Sequence, residues 1–303
     1  MTTSVARGRP DAGLWPVDVT HRHVDANGIR LHVALAGPDD GPLVLLLHGF
    51  PEGALCWREQ VEPLVRAGWR VAVPDQRGYG TSSKPASAHA YALNLLARDA
   101  IDLAAALGHD RAAVVGHDWG GVVAWHLLTH HARFVQRAVV LNAPHPATML
   151  GHALTHPSQA LKSAYVAFFQ LPWLPEASLE AGHHALLRRT LTSTSRPGAF
   201  DDALLDAYAA AWSEPGALTA MLNWYRALAF APRLAPQRIT VPVRIVWGDR
   251  DAALDAALAE RAAGQCDLAE VVHLPECTHW LLHEDAERVN ELIVEFLAAA
   301  CPA

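Results

Sequence analysis

Gly116-His117-Asp118-Trp119-Gly120-Gly121 follows the apolar pair Val114-Val115 and precedes a helical stretch over 122–129. Glycines on either side of an acidic residue, between a strand and a helix, permit a strained turn that pushes one side chain out of the sheet. Read alone, the pattern also suits a glycine-rich turn with a solvated aspartate. Two further groups change that reading, because they complete the chain order nucleophile, acid, histidine. They are Trp247-Gly248-Asp249-Arg250-Asp251 and Cys277-Thr278-His279-Trp280. Attack by a serine on an alkyl carbon would leave an ether that no histidine-activated water can open. An aspartate gives instead an ester whose acyl carbon belongs to the protein, and water can cleave that. Asp118 as nucleophile therefore points to an epoxide or a haloalkane and away from ordinary esters.

The elements needed to hold these groups are visible as alternating patterns. Asn27-Gly28 is a hairpin signal, pairing 17–26 with 29–36 as antiparallel edge strands. Unbroken apolar runs follow at Leu43–Leu47, 69–73, 112–115, 138–141, 241–246 and 271–274, as expected of strands covered on both faces. Helical spacing separates several of them, most clearly over 91–107 with Gly108 as the stop. This alternation predicts an α/β fold with a mostly parallel sheet. From about 148 to 238 the strand rhythm stops. Ala, Leu and Trp are punctuated there by Pro157, Pro172, Pro175, Pro197, Pro215, Pro232 and Pro236, which predicts several short helices inserted between the sixth and seventh strands. An insertion at the carboxyl edge of a parallel sheet covers the crevice where such folds bind ligands, so this segment is expected to be a lid.

Composition excludes other classes. The 303 residues are 51% hydrophobic and 18% charged, which fits a chain with a sizeable core. The net charge of −7 argues against nucleic acid as a partner. No apolar run approaches the ~18 residues of a membrane helix, so no membrane partner is expected. Residues 1–16 carry Arg7, Arg9 and Asp11 without an apolar stretch, unlike a secretory signal. Cys56, Cys266, Cys277 and Cys301 show neither metal nor disulfide spacing, suiting a reducing cytoplasm. Lysine occurs only at Lys84 and Lys162, and with abundant alanine this reads as GC-rich bacterial coding. The histidine pairs His21/His23, His130-His131 and His183-His184 lack acidic or cysteine partners at ligand spacing and are expected at the surface; neither metal nor cofactor is expected.

Six motifs in order carry a resemblance. They are His48-Gly49-Phe50-Pro51-Glu52, Asp75-Gln76-Arg77-Gly78-Tyr79-Gly80, the Asp118 turn, Asn142-Ala143-Pro144-His145-Pro146, Asn223-Trp224-Tyr225-Arg226 and His279-Trp280. From about 17 to 297 the chain resembles the α/β-hydrolase superfamily and, within it, the soluble epoxide hydrolases. The resemblance implies an eight-stranded, mostly parallel sheet flanked by helices with an inserted helical lid. It assigns 17–147 and 239–300 to the core, 148–238 to the lid and 1–16 to a tail. It favours Asp251 over Asp249 as the acid, leaving Asp249 a solvated loop charge. It also implies that the N–H groups of Phe50 and Trp119 form an oxyanion hole.

An epoxide oxygen leaves as an alkoxide and needs acidic O–H donors, for which tyrosine is suited; a halide needs N–H donors and no proton. The segments around Tyr165 and Tyr225 resemble the two lid segments from which epoxide hydrolases present paired tyrosines, whereas Tyr208 matches neither. Phe50 stands where many haloalkane dehalogenases carry an amide, and Trp119 and Val122 stand where fluoroacetate-cleaving relatives carry arginines. The expected activity is thus conversion of a small apolar epoxide to a diol through an ester on Asp118, opened by water activated by His279 and Asp251. Dehalogenation by the same nucleophile is the alternative, and a non-catalytic ligand-binding homologue a third reading. His48, Pro51, His145, Phe168, Phe169, Trp224 and Trp280 are expected in the pocket, with Trp173 and Met221 as further apolar candidates. Asp75 and Arg77 are expected to brace the loop after the fourth strand, and the protein to be a monomer or homodimer.

Overall fold

A computed structural model describes residues 13–230 and 237–299. Pro232, Pro236, Cys301 and most of the 1–16 tail lie outside the described residues. Eight strands, β1 (Thr20–Ala26), β2 (Ile29–Ala36), β3 (Leu43–Leu47), β4 (Arg70–Pro74), β5 (Ala112–His117), β6 (Val135–Leu141), β7 (Val243–Gly248) and β8 (Ala269–Leu274), form one sheet. Its order is β1-β2-β4-β3-β5-β6-β7-β8. The β1–β2 and β2–β4 pairs are antiparallel and the rest parallel. Asn27 and Gly28 join β1 to β2 with φ of 48° and 72°, the left-handed pair that a tight hairpin requires. β1 begins at Thr20 rather than at residue 17, because the register with β2 ends at the Thr20–Leu35 pair.

The strand period of two divides the core into two layers. Leu43, Leu45 and Leu47 point to one side, beneath α2 (Leu93–Ala106) and α3 (Trp119–His130). Val44 and Leu46 point to the other, against α1 (Arg58–Arg66) and the final helix over Ala286–Ala298. The helix expected over 91–107 starts only at Leu93, after a short 3₁₀ turn at Ala88–Tyr91.

Among the described residues six α-helices intervene between β6 and β7: α4 (Pro146–Thr155), α5 (Pro157–Lys162), α6 (Ala164–Phe168), α7 (Leu174–Thr194), α8 (Asp202–Trp212) and α9 (Ala217–Arg226). Not all are short. α7 runs 21 residues but is broken in the middle, where Gly182, His183 and His184 take left-handed φ of 60°, 56° and 63°. His184 is buried, not at the surface as expected: its ring contacts the Leu179 carbonyl at 3.1 Å and Ser213 Oγ at 2.9 Å. After β7 come α10 (Ala257–Ala263), α11 (Leu281–Glu284) and α12, the final helix named above. Among the described residues no helix is long and apolar enough to cross a membrane.

Candidate active site

Asp118 ends β5 and opens α3 with φ 50° and ψ −120°, a conformation costly for any residue with a side chain. The glycines around it supply the space. A Cβ on Gly120 would lie 1.9 Å from the Leu47 carbonyl oxygen, and one on Gly116 2.4 Å from the Gly120 carbonyl oxygen. Gly49 passes so close that a Cβ there would sit 2.4 Å from Asp118 Oδ1. This close approach lets the Phe50 N–H donate to Asp118 Oδ1 at 2.8 Å, while the Trp119 N–H also bonds the carboxylate. The two N–H groups thus converge on the oxygen-bearing end of Asp118. Burial pushes the carboxyl pKa up, more than the charge of His279 and these two N–H groups pull it down.

His279 follows β8 and lies between two carboxylates. Its Nδ1–H donates to Asp251 Oδ2 at 2.6 Å, and its Nε2 faces Asp118 Oδ2 at 3.6 Å. Asp251 is fully engaged. Oδ1 accepts from the N–H groups of Ala253 (2.7 Å) and Leu254 (3.0 Å), and Oδ2 also accepts from Asn142 Nδ2 at 2.7 Å. Burial would raise the Asp251 pKa, but the charge and hydrogen bond of His279, with the Asn142 and Ala253 donors, hold it below its ordinary value. Burial likewise favours a neutral His279 ring, yet Asp251, Asp118 and Glu52 outweigh it and lift the pKa to about 9. Asp249 is not a free loop charge: it lies 2.5 Å from His273 Nδ1.

Tyr165 (α6) and Tyr225 (α9) reach the same space from the helices between β6 and β7. Their rings are 5.8 Å apart, packed edge to face. Tyr225 is packed edge-on against Trp119 at 5.0 Å and Phe50 at 5.3 Å. Burial first, and then the nearby Asp118 charge, raises the pKa of Tyr165, keeping it a neutral O–H donor. Tyr225 is pushed up by burial, then by Tyr165 and Asp118. Tyr208 does not join them; its hydroxyl donates to Glu52 Oε1 at 2.7 Å.

A cavity of about 370 Å³ opens onto Asp118, His279, Tyr165 and Tyr225. Pro51, Phe168, Phe169 and Trp280 line it, and so does Phe50, which the sequence marks only for its N–H. His48, His145 and Trp224 do not, and each has a physical reason. His48 turns inward to accept from the Gln76 N–H at 3.0 Å. His145 caps α4, accepting from the Ala147 N–H at 3.2 Å. Trp224 points to the core, where its indole N–H donates to the Arg77 carbonyl at 2.9 Å. Met221 is buried away from the cavity lining, and Trp173 is 72% exposed. In their place the far wall is made by Leu179, Leu186, Leu187, Thr190 and Thr194 of α7.

Further residues support the site, and of these only Asp75 and Arg77 are marked by the sequence for a bracing role. Asn142, at φ 39°, bridges β6 to β7, accepting from the Gly248 N–H at 2.7 Å while donating to Asp251. Glu52, behind His279, accepts from His283 Nε2 at 2.7 Å. The His117 ring lies 4.8 Å from the His279 ring, tilted by 49°, and burial and the His279 charge depress its pKa to about 3. Asp75 Oδ1 accepts from the Ala54 N–H at 2.9 Å, and Arg77 pairs with Asp99 at 2.6 Å. Among the described residues no group of three His, Cys, Asp or Glu side chains could hold a metal ion.

The sheet order, the Asp118 turn after β5 and the histidine after β8 define an α/β hydrolase with an aspartate at the elbow. A family model described as alpha/beta hydrolase fold matches residues 42–286. The chain belongs to that family and, within it, to the epoxide hydrolase family. It is 44% identical over 277 residues to AB hydrolase superfamily protein YfhM of Bacillus subtilis (strain 168), covering 90% of this chain and 96% of the other. It is 36% identical to human epoxide hydrolase 4, covering 96% of this chain and 83% of that one. The crystal structure of a Bacillus megaterium epoxide hydrolase in complex with an inhibitor superposes with a TM-score of 0.84 at 26% identity, over 92% of this chain and all (100%) of that one.

Proposed function

We propose that this protein hydrolyses a small, apolar epoxide to a vicinal diol through a covalent ester on Asp118. The observation that carries the proposal is the convergence of a buried carboxylate, a carboxylate-bound histidine and two tyrosines with rings 5.8 Å apart on one apolar cavity. In the first step an Asp118 oxygen attacks an epoxide carbon and the C–O bond breaks. Tyr165 and Tyr225 donate hydrogen bonds to the departing oxygen as its charge develops. In the second, His279 Nε2 takes a proton from water and the hydroxide adds to the Asp118 acyl carbon. The Phe50 and Trp119 N–H groups hold the resulting oxyanion. Collapse then breaks the ester: the released oxygen takes the proton back from His279, and the proton left on the Asp118 carboxyl passes by way of the tyrosines to the first alkoxide oxygen, so the diol leaves neutral and Asp118 returns to a carboxylate.

Alkylation itself prepares the second step. Converting Asp118 to a neutral ester removes one of the two adjacent negative charges that lift His279 to about 9. The histidine pKa then falls toward the range of an effective general base near neutral pH. The helices of 148–238 serve in this reading as a lid over a core of 17–147 and 239–300, excluding bulk water from the ester.

The direct test is a single turnover of styrene oxide in ¹⁸O-water followed by mass analysis of the peptide bearing Asp118. Label in that carboxylate is expected, because water attacks the enzyme's acyl carbon. Label in the diol alone would mean direct attack by water and would overturn the mechanism.

A further inference from the structure

Helices α4 and α5 contact the loop that carries the acid through both backbone and side-chain groups. Gln159 of α5 is fully buried. Its Nε2 donates to the Ala253 carbonyl at 2.9 Å and its Oε1 accepts from the Asp255 N–H at 2.8 Å. Lys162, at the end of the same helix, donates from Nζ to the Asp251 carbonyl at 3.2 Å and pairs with Asp255 Oδ1 at 2.9 Å. The other Asp255 oxygen is met by His152 Nε2 and Ser158 Oγ, both at 3.2 Å.

Ala253 is the pivot of this arrangement. Its N–H donates to Asp251 Oδ1, and its carbonyl accepts from Gln159. One peptide therefore has the acid carboxylate on one side and a lid side chain on the other. Three residues beyond Lys162 the chain reaches Tyr165, so the segment that grips the acid loop also carries a proposed epoxide donor.

We propose that Gln159 and Lys162 are positioning residues that strap the 251–255 loop to the lid, so that the Asp251 carboxylate is aligned on His279 only when α5 is seated. The inference rests on the two-step reading of the function given above. Without the strap the partly buried Ala253 carbonyl and Asp255 N–H lose their partners, and the loop is free to shift to recover them. A shift of ~1 Å at a catalytic group can cost about 100-fold in rate. The step that uses Asp251 and His279 is hydrolysis, so hydrolysis is where the loss falls.

The experiment uses the full chain, with styrene oxide as probe, and measures the two steps separately by rapid quench and intact-protein mass. Gln159→Met removes both bonds to the loop, together with the one to Ser163 Oγ within the helix segment, at nearly constant volume. Hydrolysis should slow about 10-fold or more while alkylation stays within about 3-fold, so that adduct accumulates. The midpoint of the hydrolysis pH profile should fall, because a displaced Asp251 no longer supports the protonated ring; Asp118, Glu52 and His117 are the other groups facing that ring. Lys162→Met, at a partly exposed position that tolerates change, should move both readouts the same way by a smaller factor, and Lys162→Arg should restore them. Unchanged hydrolysis rate and pH midpoint in both folded methionine variants, with a change in KM alone, would overturn the strap. The two-step reading itself is tested apart from it by His279→Gln: an adduct there keeps that reading standing whatever Gln159 does, and no adduct removes the basis of both.

Discussion

Nε2 of His279 stops 3.6 Å from Oδ2 of Asp118, beyond the reach of a good hydrogen bond, while its Nδ1 is held at 2.6 Å by Asp251. A histidine meant to activate the nucleophile would bond to it directly. In the proposed mechanism, one held off by this distance acts on a water aimed at the Asp118 acyl carbon, since a carboxylate needs no activation to attack.

The first prediction follows from that division of labour. His279→Gln should still be alkylated, and intact-protein mass should show protein plus substrate persisting after the epoxide is exhausted. A folded variant that forms no adduct would count against two separate steps.

Tyr165→Phe and Tyr225→Phe keep the rings and their packing on Phe169, so thermal stability should change little. Each should slow alkylation by about 10²-fold, the scale of losing one donor to developing charge. The double variant should open almost no epoxide. Rapid epoxide opening by the double variant would sink the donor role, and strong halide release from haloalkanes by the wild type would promote dehalogenation.

The raised His279 pKa gives a pH dependence of definite sign. The folded protein binds this proton more tightly than the unfolded chain, so the contribution to stability is complete below the ordinary 6.5 and is lost as pH rises through about 9. Asp251 acts at the opposite end, its contribution disappearing as pH falls from its ordinary 3.8 through the lower folded value. Thermal midpoints should therefore decline between pH 6.5 and 9 more steeply in the wild type than in His279→Gln. Parallel declines would place the proton elsewhere.

Gly49 and Gly120 should be intolerant of even one methyl group. The Cβ of Gly49→Ala would collide with the Asp118 side chain, and rate should fall by about 100-fold, as expected for ~1 Å displacement of a reacting group. Gly120→Ala meets backbone, the Leu47 carbonyl, and should be destabilised more; differential scanning calorimetry would rank the two.

The residues proposed to carry the chemistry are legible because each sits at the end of a strand, where apolar runs, flanking glycines and chain order mark the place. Asp118 after β5, Asp251 after β7 and His279 after β8 all share that property. The pocket wall is less legible because it depends on which way a helix faces. Trp224 and Tyr225 are neighbours on α9, yet the 100° between successive helical residues sends one to the core and the other to the cavity. The leucines of α7 read as ordinary packing, since nothing in their spacing announces the left-handed break at 182–184 that redirects the second half of the helix. His48 and His145 have the right residue type for a pocket, but nearby backbone N–H groups claim their rings. Asn142 shows how a support can hide: its role as a bridge between strands depends on β6 and β7 being neighbours in the sheet.

The break in α7 also divides the molecule along lines that matter for its descent. Leu179, Leu186, Leu187, Thr190 and Thr194 shape the far wall, and none of them touches the hydrogen bonds that hold Asp118, Asp251 or His279. Substitutions there can redraw the outline of the acceptable molecule while the reacting groups remain under separate constraint. A lineage carrying this helix can drift toward new substrates one side chain at a time without passing through an inactive ancestor.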